Sequence, residues 1–303
     1  MRALITGGTG FAGRHLAEHC AASGDEVSTL ARAGDLRVDL LDAEATARGI
    51  AEAAPEVLYH LAAQAHVGRS WRDSSATLLG NVAMAANVLE AVRAHAPEAV
   101  VVAISSGEVY GPPERVPTDE RAPLRPQNPY AVSKAATDLL ACFYADAHGL
   151  RVVRPRAFNH AGPGQEPIYA VATFARQVAL GLEAGEDPVR VITGNPDTRR
   201  DYTDVRDVVR AYRLLAAHGE PGEAYNVCSG ATASAAELVR MLAEQAGVEV
   251  DHQIDPGLVR SHEVMEVRGA PDKLRAATGW EPRIALTDTL RDTVRWWRET
   301  RVP

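Results

Sequence analysis

The chain has 303 residues, 46% hydrophobic and 24% charged, with a formal net charge of −8. That length is large for a single core, so one large α/β unit with a smaller lobe is expected. The negative balance speaks against a nucleic-acid partner held by phosphate contacts; an anionic ligand has to be gripped by a few local arginines and helix N-termini.

Short apolar runs alternate with helical patterns through the first half of the chain. Ala3–Thr6, Glu26–Leu30, Val57–Leu61, Val100–Ser105 and Arg151–Arg154 read as strands. Arg14–Ser23, Ala43–Ala53, Ser75–Ala94 and Pro129–His148 read as the helices between them. Alternating β and α with continuous apolar strands predicts a parallel sheet covered on both faces. After Arg156 the rhythm gives way to Gly/Pro-rich chain, with helices at Val171–Leu182, Val205–His218, Ala235–Ala246 and Leu286–Glu299. A second lobe closing over the strand ends fits that change. The helix carrying Leu78, Leu79, Val82, Met84, Val88, Leu89 and Val92 is apolar around most of its circumference. It is either a core helix or one that packs a second face on another subunit.

Cys20, Cys142 and Cys228 form no zinc spacing and no disulfide framework, which suits a reducing cytosol. No apolar run approaches membrane-spanning length, and the N-terminus opens on a strand, Met1-Arg2-Ala3-Leu4-Ile5-Thr6, rather than a signal peptide. A cytoplasmic protein with no membrane partner is the expectation.

Directly after the first strand comes Gly7-Gly8-Thr9-Gly10-Phe11-Ala12-Gly13, then a helix. Glycines there permit a tight turn, close approach of backbone to a pyrophosphate and close helix–strand contact, while the helix N-terminus supplies N–H groups. In a strand–turn–helix context this predicts a dinucleotide site with Gly7, Gly10, Phe11, Ala12 and Gly13 at the cofactor. The second strand ends in Thr29-Leu30-Ala31-Arg32, with no acid before Asp35 to accept from ribose hydroxyls. Arg32 suits a 2′-phosphate, so NADPH is expected, with NADH as the alternative. Asp39 and Leu40 are placed to meet adenine. His15-Leu16-Ala17-Glu18-His19 matches an H-x-x-E-H zinc pattern, but its helix must pack on the sheet and no third ligand accompanies it, so no metal is expected.

Only two lysines occur, and Lys134 stands four residues after Tyr130 in Pro129-Tyr130-Ala131-Val132-Ser133-Lys134. Residues at that spacing share a helix face. An ammonium beside a phenol stabilises phenolate, so Lys134 is expected to pull the Tyr130 pKa down towards working pH. The pair then reads as a proton donor and acceptor for a reacting alcohol or ketone. Ser106, at the end of the strand Val100–Ser105, is placed to hydrogen-bond a substrate oxygen beside Tyr130. Asn128 and Pro129 fit the cap and first position of the helix that carries the pair.

The combination of the Gly7–Gly13 turn, Ser106, Tyr130 and Lys134 resembles the extended short-chain dehydrogenases/reductases that act on nucleotide-linked sugars. The segments His60–Trp71, Phe158–Gln165, Arg200–Asp207 and Tyr225–Val227 are similar to segments of that family. Phe158–Gln165 and the run from Arg200 to Val209 carry a narrower likeness to the group that reduces GDP-4-keto-6-deoxy-D-mannose to GDP-D-rhamnose. The resemblance implies a Rossmann-type doubly wound parallel sheet with a smaller α/β C-terminal substrate lobe. The boundaries are residues 1–160, with parts of 197–230 returning, and 161–196 with 231–303. It implies Tyr130 as acid/base, Lys134 on the cofactor ribose, Ser106 sharing the substrate hydrogen bond, and Leu61, Ala62 and Ala63 beside the cofactor. Asn159, Arg176, Arg200 and Arg260 are its implied contacts to the sugar nucleotide, and a homodimer through a helix bundle is its implied assembly.

Three chemistries share such a scaffold: 4-keto reduction, 4-epimerisation and 4,6-dehydration. Dehydratases of the family commonly place a carboxylate or hydroxyl before Glu108, where this chain has Gly107. Glu108 itself matches the dehydratase base and stays in the catalytic set. The reading is an NADPH-dependent 4-keto reductase of a GDP-linked 4-keto-6-deoxyhexose. A 4-epimerase or 4,6-dehydratase is the alternative, and a non-catalytic dinucleotide sensor is the competitor from another class.

Overall fold

The computed structural model describes residues 1–259 and 264–300. Strand β1 (Arg2–Thr6) runs into the glycine turn and helix α1 (Phe11–Ala22). Then follow β2 (Glu26–Ala31), β3 (Leu36–Arg37), α2 (Ala43–Ala53), β4 (Val57–His60), α3 (Val67–Arg72), α4 (Ser74–His95) and β5 (Val100–Ala103). After β6 (Ser105–Ser106) a single 3-10 turn, Gly107–Tyr110, and a long loop lead to α5 (Pro129–His148) and β7 (Arg151–Ala157). The remainder comprises β8 (Asn159–Ala161), α6 (Ala170–Ala184), β9 (Val189–Thr193), β10 (Arg199–Asp204), α7 (Val205–His218), β11 (Ala224–Val227) and β12 (Thr232–Ser234). Last come α8 (Ala235–Ala246), β13 (Val250–Ile254), β14 (Glu266–Val267), α9 (Asp272–Thr278) and α10 (Leu286–Thr300).

The main sheet has the order β11-β7-β5-β4-β1-β2-β3, with β6 pairing β7, and its pairings are parallel. It is the α/β doubly wound sheet that the alternation of elements predicts. The chain winds outward from β1 in one direction and from β4 in the other, so the crevice for a ligand opens beyond the carboxyl ends of β1 and β4. One core layer lies under α1 and α7, built on Ile5, Leu16, Tyr59, Val102, Val208, Tyr212 and Val227. The opposite layer lies under α2, α4 and α5, with Leu4, Leu30, Ile50, Leu58, Val88, Val92 and Val152. A third core, with Phe174, Val178, Leu238, Leu242, Leu290 and Trp297, belongs to the smaller lobe. That lobe contains a β12-β10-β14 sheet, with β8 on β10, and a separate β9–β13 pair. Leu274 and Trp280 return to the first core, where the Trp280 indole N–H donates to the Asp207 carbonyl at 3.0 Å.

Local chemistry sets the element that matters most. Asn128 caps α5 by accepting from the Ala131 N–H at 2.8 Å, Pro129 occupies the first turn, and Gly149 closes it at φ 67°. Ser133 donates to the Tyr130 carbonyl at 2.7 Å and accepts from Asn81 of α4 at 2.8 Å. Asn81 in turn accepts from the Gln64 N–H at 2.8 Å, so the first turn of α5 is tied to the loop after β4.

Helix α4 is, contrary to the sequence expectation, long and apolar enough to cross a membrane by length and composition. It packs instead between α2 and α5, burying Ala85, Val88, Leu89 and Val92.

Asn128→Ala removes a cap worth about 1 kcal/mol. Urea denaturation of the variant is expected to show that loss, and unchanged stability would mean the cap does not hold α5.

Candidate active site

The glycine turn sits at the switch point of the sheet. A Cβ on Gly7, which has φ +70°, would lie 2.8 Å from the Ala62 nitrogen, and one on Gly13 would lie 2.2 Å from the Gly7 carbonyl oxygen. Nothing larger than glycine fits either place. Gly10 begins α1 without a side-chain cap, so the amides of that turn are offered to an anion. Thr6 is hydrogen-bonded to His60 at 2.9 Å and accepts from the Ala62 N–H at 3.3 Å, joining the ends of β1 and β4 around the cradle. Leu61, Ala62 and Ala63 are half-buried there.

Along the nucleotide face, Arg32 is exposed just past β2. The first acid after it, Asp35, is committed elsewhere: it accepts from the Thr29 N–H and hydroxyl at 2.9 Å each, and these bonds hold its carboxyl below the usual range. Arg32 therefore stands at the end of β2 with no local carboxylate offered to a ribose. Asp39 is exposed and accepts from the Leu41 N–H at 3.1 Å, while Leu40 is buried beside it.

Ser106, Tyr130 and Lys134 come together at the carboxyl edge. Ser106 is buried and accepts from the Glu108 N–H at 3.2 Å, and its hydroxyl acts on the Tyr130 phenol. Glu108 is exposed at the mouth and accepts from Asn128 at 3.1 Å. Lys134 is 5% exposed and donates to the Ile104 carbonyl. Burial pulls the Lys134 ammonium down to about 8, and Asp138 opposes that pull.

The electrostatics of Tyr130 differ from the sequence expectation. Burial weakens the phenol as an acid and lifts it above its ordinary range; the Ser106 hydroxyl opposes this, and the fields of Tyr169 and Glu108 reinforce it. Lys134 is not among the groups that move Tyr130; its ammonium donates to the Ile104 carbonyl. The phenol is a loaded proton donor at neutral pH, not a phenolate in waiting.

The expected substrate contacts divide. Asn159 is exposed on β8, which pairs with β10, so Asn159 and Arg200 lie on adjacent strands. Arg200 is half-buried and donates to the Arg199 carbonyl at 2.8 Å. Next to it, buried Asp201 accepts from Ser229, Gly230 and Gly269 and so fixes this strand. Arg176 stacks over the Trp297 ring of the small-lobe core, 5.7 Å from its centroid. Arg260 lies outside the described residues. His15 donates to the Pro163 carbonyl at 2.9 Å, which binds α1 to the loop after β8 rather than to a metal.

Sequence reasoning missed two aromatic residues on the cleft. Tyr169, at the start of α6, faces His66, at the start of α3, with ring centroids 6.5 Å apart. His160 stacks on Phe11 at 5.9 Å and 3°. Each pair joins an element of the main sheet to one of the smaller lobe, and no spacing in the sequence announces either.

A family model described as GDP-mannose 4,6 dehydratase matches residues 4–293. A GDP-6-deoxy-D-mannose reductase from Pseudomonas aeruginosa is 38% identical over 99% of this chain and 98% of its own length. A UDP-glucose 4-epimerase from Mycolicibacterium smegmatis is 31% identical, covering 98% of this chain and 99% of its own. Among solved structures, RMD from Pseudomonas aeruginosa, complexed with NADPH, superposes with a TM-score of 0.91 at 37% identity, over 99% of this chain and 100% of that one.

Tyr130→Phe removes the proton while keeping the ring. NADPH binding is expected to persist and turnover to fall by about 10²–10⁴-fold. Wild-type turnover in that variant would remove Tyr130 from the chemistry.

Proposed function

This chain belongs to the GDP-mannose 4,6-dehydratase family of extended short-chain dehydrogenases/reductases, and we propose that it is an NADPH-dependent reductase of a nucleotide-linked 4-keto-6-deoxyhexose. The substrate is GDP-4-keto-6-deoxy-D-mannose and the product GDP-D-rhamnose. The full-length similarity to a GDP-6-deoxy-D-mannose reductase, and to a structure holding NADPH, supports the substrate and the cofactor.

One observation carries the choice of reaction. A Cβ at Gly107 would lie 3.0 Å from the Phe158 ring, so an acid or hydroxyl before Glu108 would press on that ring and require it to give by a few tenths of an ångström. The chain keeps a base-like Glu108 but has glycine where the group that would protonate a leaving hydroxyl belongs. Dehydration lacks one of its two proton handlers.

The state of Tyr130 agrees with the direction of the reaction. With NADPH bound in the Gly7–Gly13 cradle, the nicotinamide would supply a hydride to the C4 carbonyl carbon. As the C=O π pair moves onto oxygen, Tyr130 transfers its phenolic proton there and is left as phenolate. A sugar alkoxide is a stronger base than phenolate, so a weakly acidic phenol still gives up its proton. Ser106 holds the same oxygen, and Lys134, buried with its ammonium on the Ile104 carbonyl, holds the cofactor ribose. The amides of the Gly7–Gly13 turn receive the pyrophosphate, and Arg32 takes the 2′-phosphate. Asn159, Arg200 and Arg260 take the sugar-nucleotide phosphates, so that remote binding fixes C4 against the hydride donor. Arg176, already stacked on Trp297, shapes this lobe rather than touching phosphate.

The working form is a cytoplasmic homodimer. Leu79 on α4 and Val132, Leu139 and Phe143 on α5 are exposed, at 66%, 40%, 59% and 53%. Those on α5 share one face, at the spacing of a helix stripe, and a second copy of α4 and α5 would cover them.

Mixing the protein with GDP-4-keto-6-deoxy-D-mannose and NADPH is expected to consume cofactor and substrate one for one, and NMR is expected to identify GDP-D-rhamnose. Cofactor binding without oxidation would favour a sensor. Conversion of UDP-glucose to UDP-galactose with bound NAD⁺ would favour an epimerase. Gly107→Asp is expected to destabilise the protein by about 1–3 kcal/mol through overpacking against Phe158, without creating dehydratase activity. Gain of GDP-mannose dehydration in that variant would contradict the argument from space.

A further inference from the structure

The first residue of α1 serves two neighbours. Phe11 follows Gly10 directly, so its amide belongs to the turn offered to the pyrophosphate. Its ring stacks on His160 of β8, with centroids 5.9 Å apart and planes 3° from parallel. Those values lie within the range of an offset aromatic stack. His15, one turn along α1, meets the Phe11 ring edge-on at 5.5 Å. His15 donates through Nε2 to the Pro163 carbonyl at 2.9 Å, and Arg14 donates to the Gly164 carbonyl at 3.5 Å. The start of the cofactor helix therefore holds one loop, residues 160–164, by a ring stack and two hydrogen bonds.

That loop is braced as a block. His160 donates through Nδ1 to the Phe158 carbonyl at 3.1 Å, and buried Gln165 reaches back through Nε2 to the His160 carbonyl at 2.9 Å. The Gln165 N–H closes the turn on the Gly162 carbonyl at 3.3 Å. Gly164 takes φ +87°, a left-handed conformation that a side chain resists. The block carries residues of the cleft at both ends. Asn159, next to His160, pairs in register with Tyr202 of β10, two residues from Arg200. Tyr169, at the other end, starts α6. The small lobe has its own core around Ala161, Val171 and Phe174, so its cohesion does not depend on α1. What the stack adds is a link between the pyrophosphate turn and the residue beside Asn159.

We propose that His160 is a positioning residue: stacked on Phe11, it seats the sugar-nucleotide loop on the cofactor turn, so that NADPH bound at the turn orders the loop and tightens its hold on a nucleoside diphosphate. The inference rests on reading the Gly7–Gly13 turn as the pyrophosphate cradle and Asn159 as a contact to the sugar nucleotide. Linkage makes the effect reciprocal, so the nucleoside diphosphate tightens NADPH by the same factor.

GDP is the suitable probe, because it lacks the hexose that meets the nicotinamide. Attraction between it and NADPH then has to pass through the protein, since two anions repel each other directly. Calorimetric titration of GDP into the wild type is expected to show binding about fivefold or more tighter when NADPH is saturating than when it is absent. In His160→Ala that ratio is expected to fall below about twofold, with NADPH affinity in the absence of GDP kept within about twofold of wild type. His160→Phe keeps a flat ring on Phe11 and is expected to keep the coupling. A contact that only stabilised the fold would leave the ratio of affinities alone. A wild-type ratio of one, or the same ratio in wild type and His160→Ala, overturns the proposal. If His160→Ala does not fold, His160→Leu, which fills the space without a flat ring, takes its place under the same two readings.

Amide hydrogen exchange supplies a readout that needs no nucleotide. NADPH is expected to slow exchange across residues 159–165 in the wild type and in His160→Phe, and to leave it unchanged in His160→Ala. Exchange in the wild type that ignores NADPH overturns the proposal. Binding of UDP or dTDP in place of GDP would sink the guanine assignment and leave the coupling to be read with that nucleotide. A protein that reduces the keto sugar but shows no coupling would sink this inference and leave the reductase standing.

Discussion

A positive charge has to be kept, dehydrated, under the carboxyl edge of a parallel sheet, and much of the structure follows from how that is done. The Lys134 ammonium rests on the Ile104 carbonyl where β5 gives way to β6. Reaching it requires α5 to lie deep against the sheet, and the sequence supplies the means along its first three turns. Asn128 and Pro129 start the helix at the right residue, Asn81 and Ser133 tie its start to α4, and Asp138 fastens its third turn to β7. Tyr130 is then carried to Ser106 by the same rigid body. The reacting groups stand on a helix and a strand end, not on free loops, which is how geometry is held within the tolerance that catalysis needs.

That arrangement bears on the direction of chemistry. A dehydrogenase or epimerase begins by taking a proton from an alcohol, so it needs phenolate early and something cationic to produce it. Here burial keeps the phenol protonated and the lysine charge is turned towards the backbone. Phe158 packs on Gly107, the glycine that stands where dehydration places its second acid, and would crowd a side chain there. Glycine before Glu108 narrows a scaffold shared by three reactions.

Much of this could be read from the amino-acid sequence, and the reasons for the rest are physical. The glycine turn, the tyrosine–lysine spacing and the alternation of strands and helices depend on local chemistry, so α2, α5, α7 and α8 fall where the pattern puts them. The short strands β3, β6, β12 and β14 depend on partners distant in sequence, and two or three residues carry no periodicity. The pairing of Tyr169 with His66 is likewise tertiary: nothing near either residue encodes the other. Asp138 had a signal, an acid one turn past the lysine on an otherwise buried face, but its meaning depended on Arg154 and Arg156 from the next strand. The expected acidifying effect of Lys134 on Tyr130 failed because spacing fixes which face two side chains share and not which acceptor the flexible one chooses.

The central claim is that hydride enters the sugar at C4 while Tyr130 protonates the oxygen beside it. The most direct measurement follows NADPH deuterated on the transferred position of nicotinamide C4 into the product by NMR, with GDP-4-keto-6-deoxy-D-mannose as substrate. The account predicts one deuterium per product molecule, at C4 of the hexose, with matching loss of NADPH. Deuterium at C6, or product formed with no deuterium and no consumption of cofactor, would contradict it.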